Sequence, residues 1–474
     1  MDRNIVLICV DTARKDFFDR YATRIQERAD VTFSQARAAS CWSLPSHGSM
    51  FTGKFPSEHG YHSHNPTYAD LEISETFLSE LPGYSTVGVS ANSYASSDFG
   101  FDVLFDSFVD IYRGTLFNNG IRVSEWLEEH DSESLRKYPQ FFRAAITHEH
   151  PLESISNGIM SQLQSALPNL GIPRPLDDGA KSILRETKRE FGSLDEPFFL
   201  FANIMDAHAP RHPRLGYDNS LHGLPADWER RFKTWEIHLG DDKSKFNDVY
   251  TSLRKLHAAE VDYVDRMVAK YIDYIQANST RETTFVITAD HGENFGYPDE
   301  EYLVKHTSSV SEGLLHVPFV IVNAPEGYDE LEDGLFSHIR LPELLVGLAN
   351  NETPDVFDET IAAEVIGICS AHRKNVDEEQ IEYWDRMIRC AYRDGTKVEW
   401  DSLGSVRWYA LDPDTPSSQT EIEREENPPE WALDHFSTDI TTYKEQAVAA
   451  DTRQGIEEGM AESTQRRLAD LGYI

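Results

Sequence analysis

Ser43-Leu44-Pro45-Ser46-His47, with Thr52-Gly53-Lys54 just beyond, puts a hydroxyl where a helix can begin. Proline at a first helical position lacks only an N–H that the helix would not use, so Ser43 is expected at or just before the cap. There it would face unpaired backbone N–H groups and the positive end of the helix dipole, a seat for sulfate or phosphate. Ser43 is thus a candidate nucleophile, although the same letters also spell an ordinary helix cap.

Three predicted strands place polar residues where they could serve such a group. The β-branched run Thr283–Ile287 leads into Thr288-Ala289-Asp290-His291-Gly292-Glu293, and Asn4–Val10 releases Asp11. Phe198–Met205 ends in Asp206-Ala207-His208-Ala209-Pro210. Apolar runs of this kind read as buried parallel strands, and in open α/β sheets ligands gather beyond the carboxyl ends of the strands. Each exit taken alone fits a turn or cap; their recurrence beside Ser43 favours a site, with two carboxylates and an imidazole suited to a divalent cation.

At this point the chain resembles the sulfatase branch of the alkaline phosphatase superfamily over nearly its whole length. The order Asn4–Asp11, Ser43–Gly60, Asp206–His208, Asp290–Glu293, Lys305-His306 and Leu314-Leu315-His316-Val317-Pro318 is that family's order. Ala259–Asp265 looks like its helix before the metal strand, and Arg467–Ile474 like its common ending. The resemblance implies an α/β fold: a mostly parallel sheet flanked by helices, with a smaller C-terminal α+β subdomain holding an antiparallel sheet. It implies hydrolysis of sulfate esters with Ser43 as nucleophile. One divalent cation, calcium or manganese, would sit on Asp11, Asp290, His291 and Ser43. It also implies that Lys305 offsets developing negative charge and that His208 or His306 protonates the leaving oxygen. His47 stands where the family's signature Arg lies, and Asn92, Lys54 and Asp206 are the substrate-binding candidates.

The departures restrict the chemistry. The usual Cys-X-Pro-Ser-Arg signature, whose Cys becomes formylglycine, here begins with Ser43 and ends with His47, and Cys41 is two residues out of register. A Ser43 alkoxide is the simpler reading, with formylglycine at Ser43 as the alternative. The Lys and His of the second signature are missing from Ser90-Ala91-Asn92-Ser93-Tyr94, where Asn92 is expected as a neutral donor, and Thr12 follows Asp11 in place of a second acid.

At 474 residues the chain exceeds one typical core. A catalytic domain is expected over 1–384, with 110–197 as an insertion over the substrate side, and a smaller unit over 385–474. Asp394-Gly395 joins two expected strands as a hairpin, Ser405–Leu411 supplies a third, and Asp412–Pro429 is expected as a loop.

The formal charge of −37, from 81 acidic against 44 basic residues, excludes an electrostatic nucleic-acid footprint. Acids spread along the whole chain suit a hydrated surface adapted to high salt. Four scattered cysteines do not make a disulfide scaffold. The first strand follows Met1-Asp2-Arg3 at once, leaving no room for a signal peptide, and no run is long enough to cross a membrane, so a cytoplasmic location is expected.

Three functions remain in view. A sulfate ester hydrolase acting on a small molecule or glycan leads. A phosphoester or phosphonoester hydrolase, or a phosphoglycerol-type transferase, using unmodified Ser43 comes next. A non-catalytic metal-binding relative comes last.

Overall fold

The run Asn4–Val10 forms β1, every residue of which is buried, near the middle of an eight-stranded sheet. Its companions are β2 (Val31–Arg37), β3 (Ser85–Ser90), β4 (Ser107–Asp110), β5 (Phe198–Ile204), β6 (Thr283–Thr288), β9 (Phe319–Val322) and β10 (Leu331–Ser337). Their spatial order is β10-β2-β9-β6-β1-β5-β3-β4. Pairings are parallel except those of β9 with β2 and β6, so β1, β5 and β6 deliver their carboxyl ends to one edge. Between β6 and β9 a short pair, β7 (Asn294–Phe295) and β8 (Val304–Lys305), folds back beside that edge. The computed structural model describes residues 3–130, 137–228, 233–368, 373, 375–461, 464–465 and 468. Cys369 and, apart from Leu468, the expected ending Arg467–Ile474 lie outside the described residues.

Helices flank this sheet. Asn247–Asn278, a 32-residue helix containing the expected Ala259–Asp265 segment, packs on β6 and against Ala180–Glu190, which packs on β3 and β5. Leu341–Ala349 packs on β1 and on Ser43–Thr52. Ala180–Glu190 therefore belongs to the main fold, and the expected insertion over 110–197 ends before it. What remains is largely a pair of packed helices, Lys137–Thr147 and Pro151–Ala166. No described helix is long and apolar enough to cross a membrane.

The second sheet is antiparallel: β11 (Ile361–Ile366), β12 (Met387–Arg393), β13 (Thr396–Asp401), β14 (Val406–Leu411) and β15 (Gln419–Arg424). Asp394 and Gly395 both take positive φ, 50° and 71°, the backbone a two-residue hairpin needs. Two expectations are corrected here. The boundary at 385 falls inside this sheet, because Ile361–Ile366 is a short apolar run whose partner sheet its composition does not specify. Gln419–Arg424, expected as loop, is an edge strand whose last five residues are exposed and mostly charged, a composition that blocks further pairing.

Glu364, on β11, ties the two sheets together. Its N–H donates to Ala39 O at 3.0 Å and its carbonyl accepts from Ser40 Oγ at 2.8 Å. Its carboxylate accepts from the Ser57 amide and pairs with Arg389 Nε at 3.0 Å. Residues on both sides of Ser43–Thr52 are thereby held by one side chain and its backbone.

Candidate active site around Ser43

Ser43 is the first residue of the helix Ser43–Thr52, with Trp42 at the cap, so the residue lies one position further in than expected. Pro45 is the third helical residue, still within the first turn where no N–H is required. All of Ser43–Phe51 is buried, and the αL glycine Gly53 ends the helix.

Around the Ser43 hydroxyl the exits of β1 and β6 meet, joined by Asn92 from just beyond β3, whereas Asp206 at the exit of β5 does not reach it. Ser43 Oγ donates to Asp11 Oδ2 at 3.3 Å and stands 3.4 Å from His291 Nε2. Asn92 Nδ2 donates to Ser43 Oγ at 2.9 Å and also to Asp11 Oδ2. The Asn92 side chain is locked by its own loop, since Oδ1 accepts the amides of Tyr94 and Ala95 at 2.7 and 3.2 Å. His291 Nδ1 donates to Gly292 O at 2.8 Å, which leaves Nε2 as the lone pair facing the hydroxyl.

One ligand atom each from Asp11, Asp290 and His291 lie within 4.8 Å of one another, all fully buried. Asp11 Oδ1 and Asp290 Oδ2 have no hydrogen-bond partner, and buried carboxylate oxygens in that state fit a cation. Burial, then the Asp290 charge, pushes the Asp11 carboxyl well above the usual range. Burial opposes ionisation of Asp290 too, but His291 and His47 hold it below that range. Two like charges this close cannot both stay ionised without a counter-ion. A second grouping, Cys9, His47 and Asp290, is equally compact but lacks a free imidazole lone pair. His47 Nδ1 donates to Ser43 O at 2.7 Å and Nε2 accepts from Asn203 Nδ2 at 2.9 Å. Burial first of all lowers the His47 pKa, so the ring that replaces the family Arg is neutral and supports the helix start from behind.

His208, His306 and Lys305 form the opposite wall. The His306 ring lies 4.7 Å from His291 and 5.2 Å from His208 between centroids. His208 Nδ1 donates to Ala209 O, and burial, with Arg113, Lys305 and His291 adding to it, keeps this ring neutral. His306 Nδ1 stands 3.8 Å from Glu293 Oε1. Lys305 is buried at the end of β8 with φ of 64°, an αL conformation that costs a non-glycine residue free energy and recurs at functional sites.

Two sequence candidates do not join this group. Asp206 caps a helix: its carboxylate accepts the amides of Asp178 at 3.1 Å and Ala180 at 2.9 Å, at the start of Ala180–Glu190. Lys54 lies beyond the far end of the helix Ser43–Thr52 with its side chain 45% exposed, 3.9 Å from Glu75. Sequence reasoning missed Asn203, whose one available signal was a polar residue inside the apolar run Phe198–Met205. It also gave Glu293 no role, although its carboxylate holds Arg211 at 3.0 Å and stands beside His306.

A large mostly parallel sheet flanked by helices, with a separate antiparallel sheet and a serine among strand-end ligands, defines an alkaline-phosphatase-like α/β protein. The family model described as Sulfatase matches residues 3–351, and the chain belongs to the sulfatase family. Among solved structures it is similar to the phosphonate monoester hydrolase of Agrobacterium radiobacter, at 13% identity over 97% of this chain and 96% of that one, TM-score 0.58. A putative sulfatase from Bacteroides thetaiotaomicron VPI-5482 is similar at 14% identity over 96% and 93%, TM-score 0.56. A 2-O GAG sulfatase is similar at 14% over 100% and 94%, TM-score 0.55. At these identities the likeness is one of fold. The uncharacterized sulfatase YidJ of Escherichia coli (strain K12) is 23% identical over 170 residues, 35% of this chain and 32% of that protein.

Proposed function

We propose that the chain is a metal-dependent hydrolase of sulfate esters, small-molecule or glycan, with the Ser43 oxygen as nucleophile. The observation that carries this reading is Ser43 Oγ, 3.3 Å from Asp11 Oδ2 and 3.4 Å from His291 Nε2, beside two buried carboxylate oxygens without hydrogen bonds. A divalent cation on Asp11, Asp290 and His291, calcium or manganese, would lower the pKa of the Ser43 hydroxyl and neutralise an ester oxygen. The Ser43 oxygen attacks sulfur, the bond from sulfur to the alcohol oxygen breaks, and that oxygen takes a proton; water then releases sulfate from Ser43. Asn92 Nδ2 donates to the attacking oxygen's side of the site, and Lys305 offsets the developing charge. His306, with a carboxylate behind Nδ1, is the better proton donor, because His208 is held neutral with its proton on Nδ1.

Charge favours a monoanionic group. Asp11 and Asp290 cancel a divalent cation, a protonated His306 is offset by Glu293 beside it, His47 and Asn92 are neutral, and Lys305 leaves one positive charge. A sulfate monoester matches that balance; so do a phosphonate monoester and a phosphodiester, which form the second reading, with unmodified Ser43 as nucleophile. Mass spectrometry of the Ser43 peptide, paired with turnover of an aryl sulfate and an aryl phosphonate in high salt with calcium or manganese, separates the two. Sulfate turnover, from unmodified Ser43 or from formylglycine at that position, supports the first. Unmodified Ser43 with phosphonate turnover alone overturns it.

A further inference from the structure

The helix Pro151–Ala166 is built inside out. It buries Ser154 and Asn157, while Leu152, Ile159 and Leu163 are exposed, Leu152 by 79%. The apolar three recur at i, i+7 and i+11 and so share one face, and the polar pair lies across from it. Hydrogen bonds fix which face points inward. Asn157 Oδ1 accepts the Phe117 amide at 2.9 Å, and its Nδ2 donates to Phe117 O at 2.9 Å and to Ile121 O at 3.1 Å. Ser154 Oγ accepts the Ile121 amide at 3.0 Å. The neighbouring helix Lys137–Thr147 buries Ala145 alone and exposes Tyr138, Phe142 and Ile146, each one turn from the next.

The two helices close up where Phe141 lies against Gly158, since a Cβ there would run into the Phe141 ring. Their exposed stripes thereby meet: Tyr138, Phe142 and Ile159 line one groove of about 200 Å³, together with Trp126 and Leu127. At about half exposure each, the six apolar side chains present on the order of 600 Å². A standard dimer buries about 800 Å² per partner, with the polar rim supplying the rest. Charge sets this surface apart as well. Residues 137–176 hold two acids, Glu149 and Glu153, against three bases, and no acid occurs from Ser154 to Leu176, whereas the whole chain has 81 acids against 44 bases.

We propose that this face is the interface between two copies of the chain, related by a two-fold axis. Two copies with a charge of −37 repel one another except where acids are missing, and here the missing acids coincide with exposed apolar side chains. An isologous contact is self-complementary, and it sets Lys137–Thr147 of one copy across Pro151–Ala166 of the other in a four-helix layout. A lipid surface fits less well, because three bases spread over residues 137–176 make no polybasic patch and the net charge opposes approach to anionic headgroups. The inference stands apart from the Ser43 reading.

The test is sedimentation velocity of the full chain over a range of protein concentrations, in salt from about 0.1 M to about 1 M. A dimer is expected, and its Kd should fall as salt rises, because screening removes the repulsion and leaves the apolar contact. Phe142→Glu combined with Ile159→Glu, both at exposed positions, is expected to raise that Kd at least about a hundredfold while circular dichroism stays unchanged. Val448→Glu, exposed on another helix, should leave it as it was. A dimer that survives the double variant, that Val448→Glu disrupts equally, or that weakens as salt rises overturns the proposal. So does a wild-type monomer at every concentration, whether or not it binds phosphatidylcholine vesicles. If the double variant does not fold, hydrogen exchange of the wild type decides. Amide protection that rises with protein concentration over residues 137–166 supports the interface; a rise confined to other segments, or none, overturns it.

Discussion

Asn203 Nδ2 lies 2.9 Å from His47 Nε2, and this contact sets the protonation of a ring buried under the candidate nucleophile. His47 Nδ1 meets Ser43 O at 2.7 Å and must carry the proton of a neutral ring, so Nε2 can only accept. The strand and the first turn of the helix are joined by one chain of hydrogen bonds. Asn203→Leu leaves Nε2 buried and unpaired. It is expected to lower unfolding free energy by about 1–3 kcal/mol in chemical denaturation. The kcat should fall with it, because the start of the Ser43 helix loses its support.

Ser43→Ala is expected to reduce turnover at least about a thousandfold. The Asp11, Asp290 and His291 ligands stay in place, so cation binding measured by calorimetry should survive. Retained turnover would remove Ser43 from the nucleophile role.

Cation removal should cost stability as well as activity. Without a counter-ion, the orphaned oxygens Asp11 Oδ1 and Asp290 Oδ2 remain buried in one site. Dialysis against a chelator is expected to lower the melting temperature, with calcium or manganese restoring it. In Asp290→Asn the chelated protein should melt no lower than the chelated wild type, and added cation should no longer shift it. A cation-induced shift that persists in Asp290→Asn would place the ion elsewhere.

His64 should give an acid-side loss of stability. Its Nδ1 donates to Asp451 Oδ2 at 3.0 Å, and its Nε2 accepts from Lys444 Nζ at 2.7 Å, so both nitrogens are used by the neutral ring. Burial, then Lys444, lowers its pKa to about 4. The unfolded chain protonates this ring near pH 6.5 and the folded one does not until about pH 4, so the stabilisation is complete above 6.5 and is lost as pH falls. In that window one such group contributes a slope of about 1.4 kcal/mol per pH unit. Denaturation midpoints of His64→Gln are expected to show a slope smaller by one proton.

The charge of −37 predicts a response to salt. The Debye length drops from about 10 Å at 0.1 M to about 3 Å at 1 M, which screens self-repulsion and the repulsion of an anionic ester. Melting temperature and kcat/KM should both rise across that range. Best turnover in dilute buffer would count against a salt-adapted surface.

Much of the site was legible because strand ends announce themselves. Asn4–Val10 and Thr283–Thr288 are apolar runs closed by Asp11 and by Asp290-His291, and a sheet of parallel strands brings such exits to one edge. Asp206 has the same signature but a different task, since its residue type serves a ligand and a helix start equally well, and only the arrival of Ala180–Glu190 decides. Lys54 misled because the polarity of a helix separates its two ends: Ser43 opens Ser43–Thr52 and Lys54 follows its close. The strand β11 was invisible as part of the second sheet because its partners lie about 25 residues later, across a stretch with no local turn signal.

Glu364 gives the two sheets a common fate. Through Ala39, Ser40 and Ser57 it grips the chain before and after the helix Ser43–Thr52, while Arg389 anchors it to the second sheet. A fragment ending ahead of Ile361 would keep every candidate ligand yet lose the clasp around Ser43. The smaller sheet is therefore not an appendage that could be exchanged or discarded; Ser43 and the antiparallel sheet should melt in a single cooperative transition.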